Sequence, residues 1–266
     1  MNIFSKFTLR SLRVNKTRTV VTFVGIALSM ALLTAVLEGA YSGIQFVIKA
    51  EEESAGPWHG AFLGLTADDF GKMQQEKKIK DVSFLGLVGW SELAVDEDDF
   101  YLVKPYLLIE SLDDGHADLL SVRIVSGRLP QNPQEIILPA HFIRENPISY
   151  QIGDVLSLSV GNRYRSGEII DAWNDNTGWG PADDSLGDTV TKTYTVVGIC
   201  ERMDYSVETY TCGGYMAFTY GETCDSYAGF FTMKNPGAFF DYINSPDVPP
   251  RHIGHYYLRR LYGSTD

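Results

Sequence analysis

The sequence predicts an α+β protein in which a single N-terminal transmembrane helix and its stalk precede a mixed α/β body of one or two lobes. One observation is a stretch of 19 residues without a charge between Arg18 and Glu38. As a helix this stretch spans roughly 28 Å, close to the hydrocarbon thickness of a bilayer. The other observation is the mixture of strand and helix patterns after residue 50. About 216 residues remain for the body, which is enough to bury a good core.

The composition of the charge-free stretch favours insertion into a membrane. Ten of its residues are Leu, Ile, Val or Phe, and at roughly −0.3 to −0.6 kcal/mol each they favour insertion by about 3–6 kcal/mol. They are Val20, Val21, Phe23, Val24, Ile26, Leu28, Leu32, Leu33, Val36 and Leu37. No charged side chain opposes them, so the stretch is predicted to cross the bilayer once.

Charge is distributed asymmetrically about this stretch. Residues 1–18 contain five of the 22 basic residues and no acidic one, which leaves 17 basic residues against 34 acidic ones in the rest of the chain. Basic flanks stay in the cytoplasm, so we expect a cell-membrane protein with a cytoplasmic N-terminus and an extracytoplasmic body. An acidic body also argues against a nucleic-acid partner, because it would repel phosphates.

Three segments follow from this pattern: a cytoplasmic amphipathic segment at 1–18, the transmembrane helix with its stalk at 19–49, and the extracytoplasmic body at 50–266. The stalk is indicated by an apolar stripe at helical spacing beyond the span, which would suit a partner helix. The stripe consists of Tyr41, Ile44, Val47 and Ile48. A cleaved secretory signal is the alternative, although the apolar stretch is longer than usual and no small-residue cleavage site follows it.

The first half of the body begins with a glycine-rich turn region at 54–64. Thr66 and Asp69 then form a helix-capping pattern, which predicts a helix from Thr66 to about Lys78. Strands are predicted at 82–88, 92–95, 100–103 and 106–110, with a solvated acidic turn at 96–99. Calcium binding at that turn is disfavoured, because it lacks the alternating ligand spacing of an EF-hand loop.

The second half of the body alternates strands with short helices. A short helix is predicted after Asp113 and a helical turn at 140–145, and residues 163–188 look like a long polar excursion between two strands. Strands are predicted at 122–125, 134–139, 150–160, 191–200, 215–219 and 227–233, followed by a helix at 238–245 and a basic amphipathic end at 255–263.

The cysteines and histidines of the sequence do not form a recognisable catalytic or metal-binding pattern. Cys200, Cys212 and Cys224 allow at most one disulfide; a Cys212–Cys224 pair and unpaired buried thiols both remain open, and the thiols are favoured. His252 and His255 lack acidic or cysteine companions at ligand spacing, so a metal site there is disfavoured. We therefore assign no catalytic, cofactor-binding or metal-ligating residue and expect no enzyme.

Aromatic residues of the polar excursion allow two interpretations. Tyr164, Trp173 and Trp179 could form a substrate-binding surface, or the tryptophans could hold a polar loop against the sheet. The second interpretation is favoured, because a Trp must bury area to order so polar a segment.

Three parts of the sequence, taken in order, resemble FtsX-like and MacB-like ABC transporter permeases. Residues 9–28 (LRSLRVNKTRTVVTFVGIAL) are similar to the entry into the first transmembrane helix of that family. Three motifs of the body are similar to the extracytoplasmic core domain of that family. They are residues 126–138 (SGRLPQNPQEIIL), 152–158 (IGDVLSL) and 194–199 (YTVVGI). The resemblance implies an outer α+β domain of two lobes inserted between transmembrane helices one and two.

Family members continue with three further membrane helices, so the resemblance implies that this chain is the N-terminal portion of a permease. It also implies a cytoplasmic ABC ATPase as partner and a second permease chain, identical or different. No nucleotide-binding loop of the form GxxxxGK[ST] is present in this sequence, so ATP hydrolysis would belong to the partner.

Two functions follow from the resemblance. The first is a transporter subunit that couples ATP hydrolysis in its partner to movement of the outer domain, for export or extraction of a lipid, lipoprotein or peptide. The alternative is a non-transporting regulator, which senses antimicrobial peptides or controls a cell-wall enzyme. A secreted enzyme behind a signal peptide is a poorer third hypothesis, because no catalytic constellation emerges.

Overall fold

The computed structural model describes residues 14–93, 104–115, 119–145, 150–170, 172–174, 184–203, 207–208 and 212–243. The chain divides into two compact units, residues 1–49 and 50–266. The predicted limits of the cytoplasmic segment, the span with its stalk, and the body remain predictions.

A single long helix, α1, spans Lys16–Ala55 and contains 40 residues. At 1.5 Å per residue it is about 60 Å long, so it extends well beyond the predicted span and through the predicted stalk. The stretch Lys16–Ser54 is long and apolar enough to cross a membrane: its most apolar window of 18 residues has a mean hydropathy of 2.4, and none of that window is buried. Of the stalk stripe, Tyr41, Ile44 and Val47 are exposed, whereas Ile48 is buried.

The described part of the body contains ten strands and three further α-helices. The strands are β1 Gly60–Leu65, β2 Ile79–Glu92, β3 Tyr106–Leu112, β4 Ile124–Gly127, β5 Glu135–Pro139, β6 Val155–Arg165, β7 Glu168–Ile169, β8 Asp184–Cys200, β9 Gly214–Tyr220 and β10 Tyr227–Met233. The helices are α2 Ala67–Gln75, α3 Ala140–Glu145 and α4 Phe239–Ile243, with short 3₁₀ turns at Ala172–Asn174 and Pro236–Ala238. This mixture confirms the predicted α+β class.

All ten strands belong to one mixed sheet, in the order β1-β10-β2-β3-β9-β5-β8-β6-β7, with β4 paired to β8. β2 also pairs with β6, at Trp90 opposite Gly161 and Ser91 opposite Val160. This second pairing closes part of the sheet into a ring of six strands, in the order β2, β3, β9, β5, β8 and β6. The two lobes that the resemblance implies share this sheet, because the 17-residue strand β8 pairs with β6 along one part and with β5 along another.

Three apolar clusters fill the two faces of the sheet. The largest includes Trp90, Leu108 and Phe218. A second lies under α2 and α4 and includes Met73 and Tyr242. A third lies under α3 and is formed by residues such as Leu107, Ile136, Phe142, Val196 and Ala217. Side chains on successive residues of a strand point to opposite faces, which is why Leu107 and Leu108 belong to different clusters.

Local signals in the sequence located most of these elements. The Thr66–Asp69 pattern begins α2, where the Asp69 carboxylate accepts a hydrogen bond of 3.1 Å from the Thr66 backbone N–H. The predicted turn region at 54–64 is partly wrong, because β1 begins at Gly60 and pairs with β10. The predicted excursion at 163–188 is also partly wrong, because β6 continues to Arg165 and β8 begins at Asp184.

Candidate functional site

The cysteines do not form a reactive site. Cys200 and Cys224 are free and buried, which agrees with the favoured hypothesis of unpaired thiols. Cys212 is buried as well, and its thiol donates a hydrogen bond of 3.5 Å to the Gly214 carbonyl. Burial raises the pKa of Cys200 and that of Cys224 to about 12. A thiol must ionise to act as a nucleophile, so Cys200 and Cys224 are unreactive at neutral pH. Among the described residues, no group of three or more His, Cys, Asp or Glu could hold a metal ion.

Trp173 is the one tryptophan of the predicted excursion that the structure describes. It packs, partly buried, against the largest apolar cluster, and its Nε1 donates a hydrogen bond of 2.9 Å to Ser226 Oγ. These contacts favour the interpretation of a loop held against the sheet over that of an exposed binding surface. Trp179, the acidic turn at 96–99, and His252 and His255 lie outside the described residues.

The C-terminal turn of α1 (residues 50–55), which belongs to the body, is bonded to the segment that precedes β4. Ser121 Oγ donates to the Glu52 carbonyl at 3.4 Å, and Arg123 Nη2 donates to the Glu53 carbonyl. The last four carbonyls of a helix lack partners within the helix, and a cation near them is favourable. Ser121 and Arg123 therefore tie the end of α1 to the sheet.

Gly56 ends α1 with a positive φ of 101°, and its N–H donates to the Glu52 carbonyl at 3.0 Å. Glycine is the usual residue at this position because it lacks a Cβ. A Cβ on Gly56 would lie 2.0 Å from the Leu119 carbonyl oxygen. Close packing of two backbones at this junction therefore requires glycine.

The three motifs of the body are neighbours in space. The Arg128 N–H donates to the Val197 carbonyl at 3.0 Å. The Gly153 N–H donates to the Val196 carbonyl at 2.8 Å, and the Val196 N–H donates to the Asp154 carbonyl at 2.9 Å. Residues 126–138, 152–158 and 194–199 thus form one unit around β8, which we call the motif cluster.

An ion pair joins Arg128 and Glu135 within the first motif, residues 126–138. Arg128 Nη1 and Nη2 donate to the two oxygens of Glu135, each at 2.6 Å, and the Gln131 N–H donates to Glu135 Oε2 at 2.9 Å. Hydrogen bonds from Arg128 are the main cause that lowers the pKa of Glu135 to about 2. The residues of this motif thus hold the connection from β4 to β5, and none of these contacts suggests catalysis.

Replacing Glu135 by glutamine should lower the stability of the protein modestly at pH 7. A carboxyl group whose pKa is lowered on folding stabilises the folded state above its unfolded pKa, near 4.5, and this contribution is lost as the pH falls towards 2. The difference in Tm between wild type and Glu135→Gln should therefore shrink between about pH 5 and pH 3. A difference that stays constant over this range would contradict the proposed role of the Arg128–Glu135 pair.

A second ion pair lies on the face of the sheet that carries the largest apolar cluster, beside Trp90 and Tyr106. Arg163 is fully buried, with its guanidinium carbon 5.1 Å from the Trp90 ring centroid and 5.0 Å from that of Tyr106. Its Nη2 donates to Asp184 Oδ2 at 2.6 Å, and Arg165 Nε donates to Asp184 Oδ1 at 2.6 Å. No local sequence pattern indicates this pair. Alternation along β6 places Arg163 on the face opposite to Val160, so Arg163 contacts Trp90 and Tyr106 of the largest apolar cluster, whereas Val160 belongs to the third cluster.

No protein-family model matches the sequence, and no curated protein matches it. Among solved structures, the chain is similar to the extracellular domain of YknZ, a noncanonic ABC-type transporter from Gram-positive bacteria, with 8% identity and a TM-score of 0.42 over 77% of this chain and 100% of that one. It is also similar to a domain assigned to a permease protein of Porphyromonas gingivalis, with 11% identity and a TM-score of 0.36 over 72% of this chain and 73% of that one. Both TM-scores lie below 0.5, so neither likeness by itself assigns a family.

Proposed function

We propose that this chain is a permease subunit, or the N-terminal portion of one, of an ABC transporter complex in the cell membrane. The observation that carries the proposal is the continuity of α1. It runs without a break from an exposed apolar stretch into residues 50–55, whose carbonyls are bonded by Ser121 and Arg123 of the body. The sequence motifs at 9–28 and in the motif cluster support the same assignment.

A continuous helix suits the coupling of events on two sides of a membrane. Within a helix every backbone hydrogen bond is internal, so it crosses lipid without exposing polar groups and moves as a unit. Exposed apolar residues such as Phe23 and Leu32 would face lipid. The exposed members of the stalk stripe, Tyr41, Ile44 and Val47, would suit the helix of a second permease chain. The basic N-terminus favours a cytoplasmic start and an extracytoplasmic body.

In this proposal the chain is not itself an enzyme, and a separate cytoplasmic subunit hydrolyses ATP. Movement of the body would then serve the export or extraction of a lipid, lipoprotein or peptide. The second candidate is a regulator that senses antimicrobial peptides or controls a cell-wall enzyme. The partly buried Trp173 favours neither candidate, because its contacts are internal.

Co-purification with an ATPase tests the proposal. The full chain, tagged at its C-terminus and extracted from native membranes in mild detergent, should recover an ATP-binding cassette protein and ATP hydrolysis. A matched variant with Arg10 and Arg13 replaced by glutamine tests whether the cytoplasmic segment makes the contact, and it should recover several-fold less of both. Intact mass of the purified chain should show that the residues before Tyr41 are retained.

Two results would contradict the proposal. One is a mature chain that begins near Tyr41, because a cleaved signal cannot anchor the body. The other is a retained N-terminus without recovered ATP hydrolysis. If the ATPase is recovered but the complex moves no substrate in reconstituted vesicles, the regulator is favoured over the transporter.

A further inference from the structure

The pairing of β2 with β6 is short, and beyond it the two strands separate. They pair at only two positions, and the position nearer the end of β2 joins Ser91 to Val160. β2 ends one residue later, at Glu92, whereas residues 155–159 of β6 lie beyond this position and pair with β8 on one side. Among the described residues, no strand pairs with the other edge of β6 at 155–159. We call this edge the free edge.

Backbone groups along the free edge point away from β8. The Thr195 N–H donates to the Gln134 carbonyl at 2.8 Å, so it does not point towards Val155, the residue opposite it on β6. Opposite residues of an antiparallel pair alternate between those that exchange hydrogen bonds and those that do not. Val155 and Ser157 therefore direct their N–H and C=O groups to the free edge. In the described part of the chain, no strand or turn bonds to them there.

An open cleft with a volume of about 650 Å³ lies along the free edge. Ligand pockets typically have volumes of about 300–1,000 Å³. Successive side chains of a strand point to opposite faces of a sheet, yet residues of both faces line this cleft. Ser91, Leu93 and Leu158 belong to one face, and Glu92, Ser157 and Ser159 belong to the other. The sheet is therefore open between β2 and β6, and the opening has the size of a ligand site.

The polar side chains of the cleft lack partners within the part of the protein that the structure describes. Ser91 is only 2% exposed, and neither its hydroxyl nor those of Ser157 and Ser159 form a hydrogen bond with a described residue. Glu92 is exposed and is the one charged residue in the described lining. Buried polar groups are normally bonded, so the Ser91 hydroxyl and the free edge together indicate a ligand with polar groups of its own.

We propose that an extended peptide binds in this cleft as an added strand beside β6, and that its sequence alternates basic with apolar residues. Its backbone exchanges hydrogen bonds with Val155 and Ser157, which is how strand addition gives affinity in other peptide complexes. Alternate side chains of the peptide lie on opposite faces. Basic side chains on one face meet Glu92, because hydrogen bonds between charged groups are the strong ones. Apolar side chains on the other face meet Leu93 and Leu158.

Binding at this cleft requires neither ATP hydrolysis nor transport, so the site is independent of the proposed function. The test uses the full chain in nanodiscs and a labelled, acetylated octapeptide of alternating lysine and valine as the probe. Fluorescence anisotropy should show saturable binding. Opposite residues of paired strands share a face, so the lysines of the probe are the residues that bond to Ser157. The same peptide with its lysines N-methylated on the backbone keeps every charge but lacks these N–H donors, and it should bind at least about tenfold more weakly.

Ser157→Pro tests the free edge from the side of the protein. It removes an N–H that does not bond to β8, so the pairing of β6 with β8 is retained. It should weaken binding at least about tenfold. Thr193→Pro is the matched control, because Thr193 lies opposite Ser157 on β8 and its N–H points away from the cleft. This control should change the affinity less than about twofold, and equal affinities of Ser157→Pro and wild type would overturn the proposal.

Glu92→Gln tests the charge of the cleft and leaves the backbone unchanged. It should weaken binding several-fold, whereas Glu135→Gln, which removes an exposed ion pair with Arg128, should not. If Ser157→Pro does not fold, the two peptides on wild type decide. Equal binding of the N-methylated and unmodified peptides would mean that the peptide binds by charge alone, and the proposed strand addition would be wrong.

Hydrogen exchange identifies the edge that the peptide covers. The peptide should slow exchange of the Val155 and Ser157 amides and should leave exchange at 189–193 of β8 unchanged. Slow exchange of these two amides without peptide would show that the free edge is already covered by another segment of the chain. That result would also overturn the proposal.

Discussion

Replacing Asp184 by asparagine should destabilise the body by about 3–5 kcal/mol, because it removes a carboxylate that binds a buried guanidinium. Arg163 is fully buried against the rings of Trp90 and Tyr106, and Asp184 accepts hydrogen bonds from both Arg163 and Arg165. The two rings attract the cation, but they do not replace a carboxylate. At pH 7 Asp184 is ionised, since hydrogen bonds from Arg165 and Arg163 outweigh the effect of burial and lower its pKa.

Urea unfolding followed by tryptophan fluorescence measures this loss, because Trp90 lies against the Arg163 guanidinium. Asp188→Asn is the matched control on the same strand. Asp188 is exposed and accepts a hydrogen bond from the Tyr164 hydroxyl, and asparagine tolerates its positive φ of 52°. Its replacement should cost less than about 1 kcal/mol. Equal losses in the two variants would show that Arg163 does not depend on Asp184.

Arg163 also shows why this pair could not be predicted from the sequence. Residues 163–188 are polar, and polarity normally indicates a solvated loop. Alternation along β6 places Leu156 and Val160 on the face of the third apolar cluster, and it places Arg163 on the opposite face, against Trp90 and Tyr106 of the largest cluster. Both faces of β6 are therefore covered near this point, and a polar local composition does not indicate burial on the second face.

The signals that succeeded are short-range ones. An uninterrupted apolar stretch predicted α1, and the capping pattern at Thr66 predicted the start of α2. The sequence predicts two separate strands at 82–88 and 92–95. The structure has one continuous strand, β2, from Ile79 to Glu92. The shift in register between Leu87 and Gly89 explains the difference, because the chain passes through this irregularity without leaving the sheet.

The contacts that could not be predicted join residues that lie far apart in the sequence. Glu208 meets Lys104 and His141 across separations of 104 and 67 residues, and no periodic pattern encodes such a meeting. The same holds for the closure of the ring, which depends on two residue pairs between β2 and β6. The resemblance to a family located the motif cluster in the sequence. The structure adds that the Arg128–Glu135 pair holds the first motif and that backbone hydrogen bonds join the three motifs.

Replacing Gly56 by alanine should destabilise the junction between α1 and the body by about 2–4 kcal/mol. Alanine is strained at a φ of 101°. Its Cβ would also lie 2.0 Å from the Leu119 carbonyl oxygen and 2.9 Å from the Leu119 carbonyl carbon. These are backbone atoms, so no side chain can rotate away. Residues 119–123 would have to move, and with them the donors Ser121 and Arg123 that bond to the last turn of α1.

Gly64→Ala separates the effect of the contact from that of the backbone conformation. Gly64 also has a positive φ, 69°, but a Cβ there would meet nothing within 4 Å. Its replacement should therefore cost only about 1–2 kcal/mol from the left-handed conformation. Hydrogen exchange by mass spectrometry should show faster exchange at 52–56 and 119–123 in Gly56→Ala and not in Gly64→Ala. Similar exchange in both variants would mean that residues 119–123 do not hold the end of α1, and the proposed coupling through this junction would lose its structural basis.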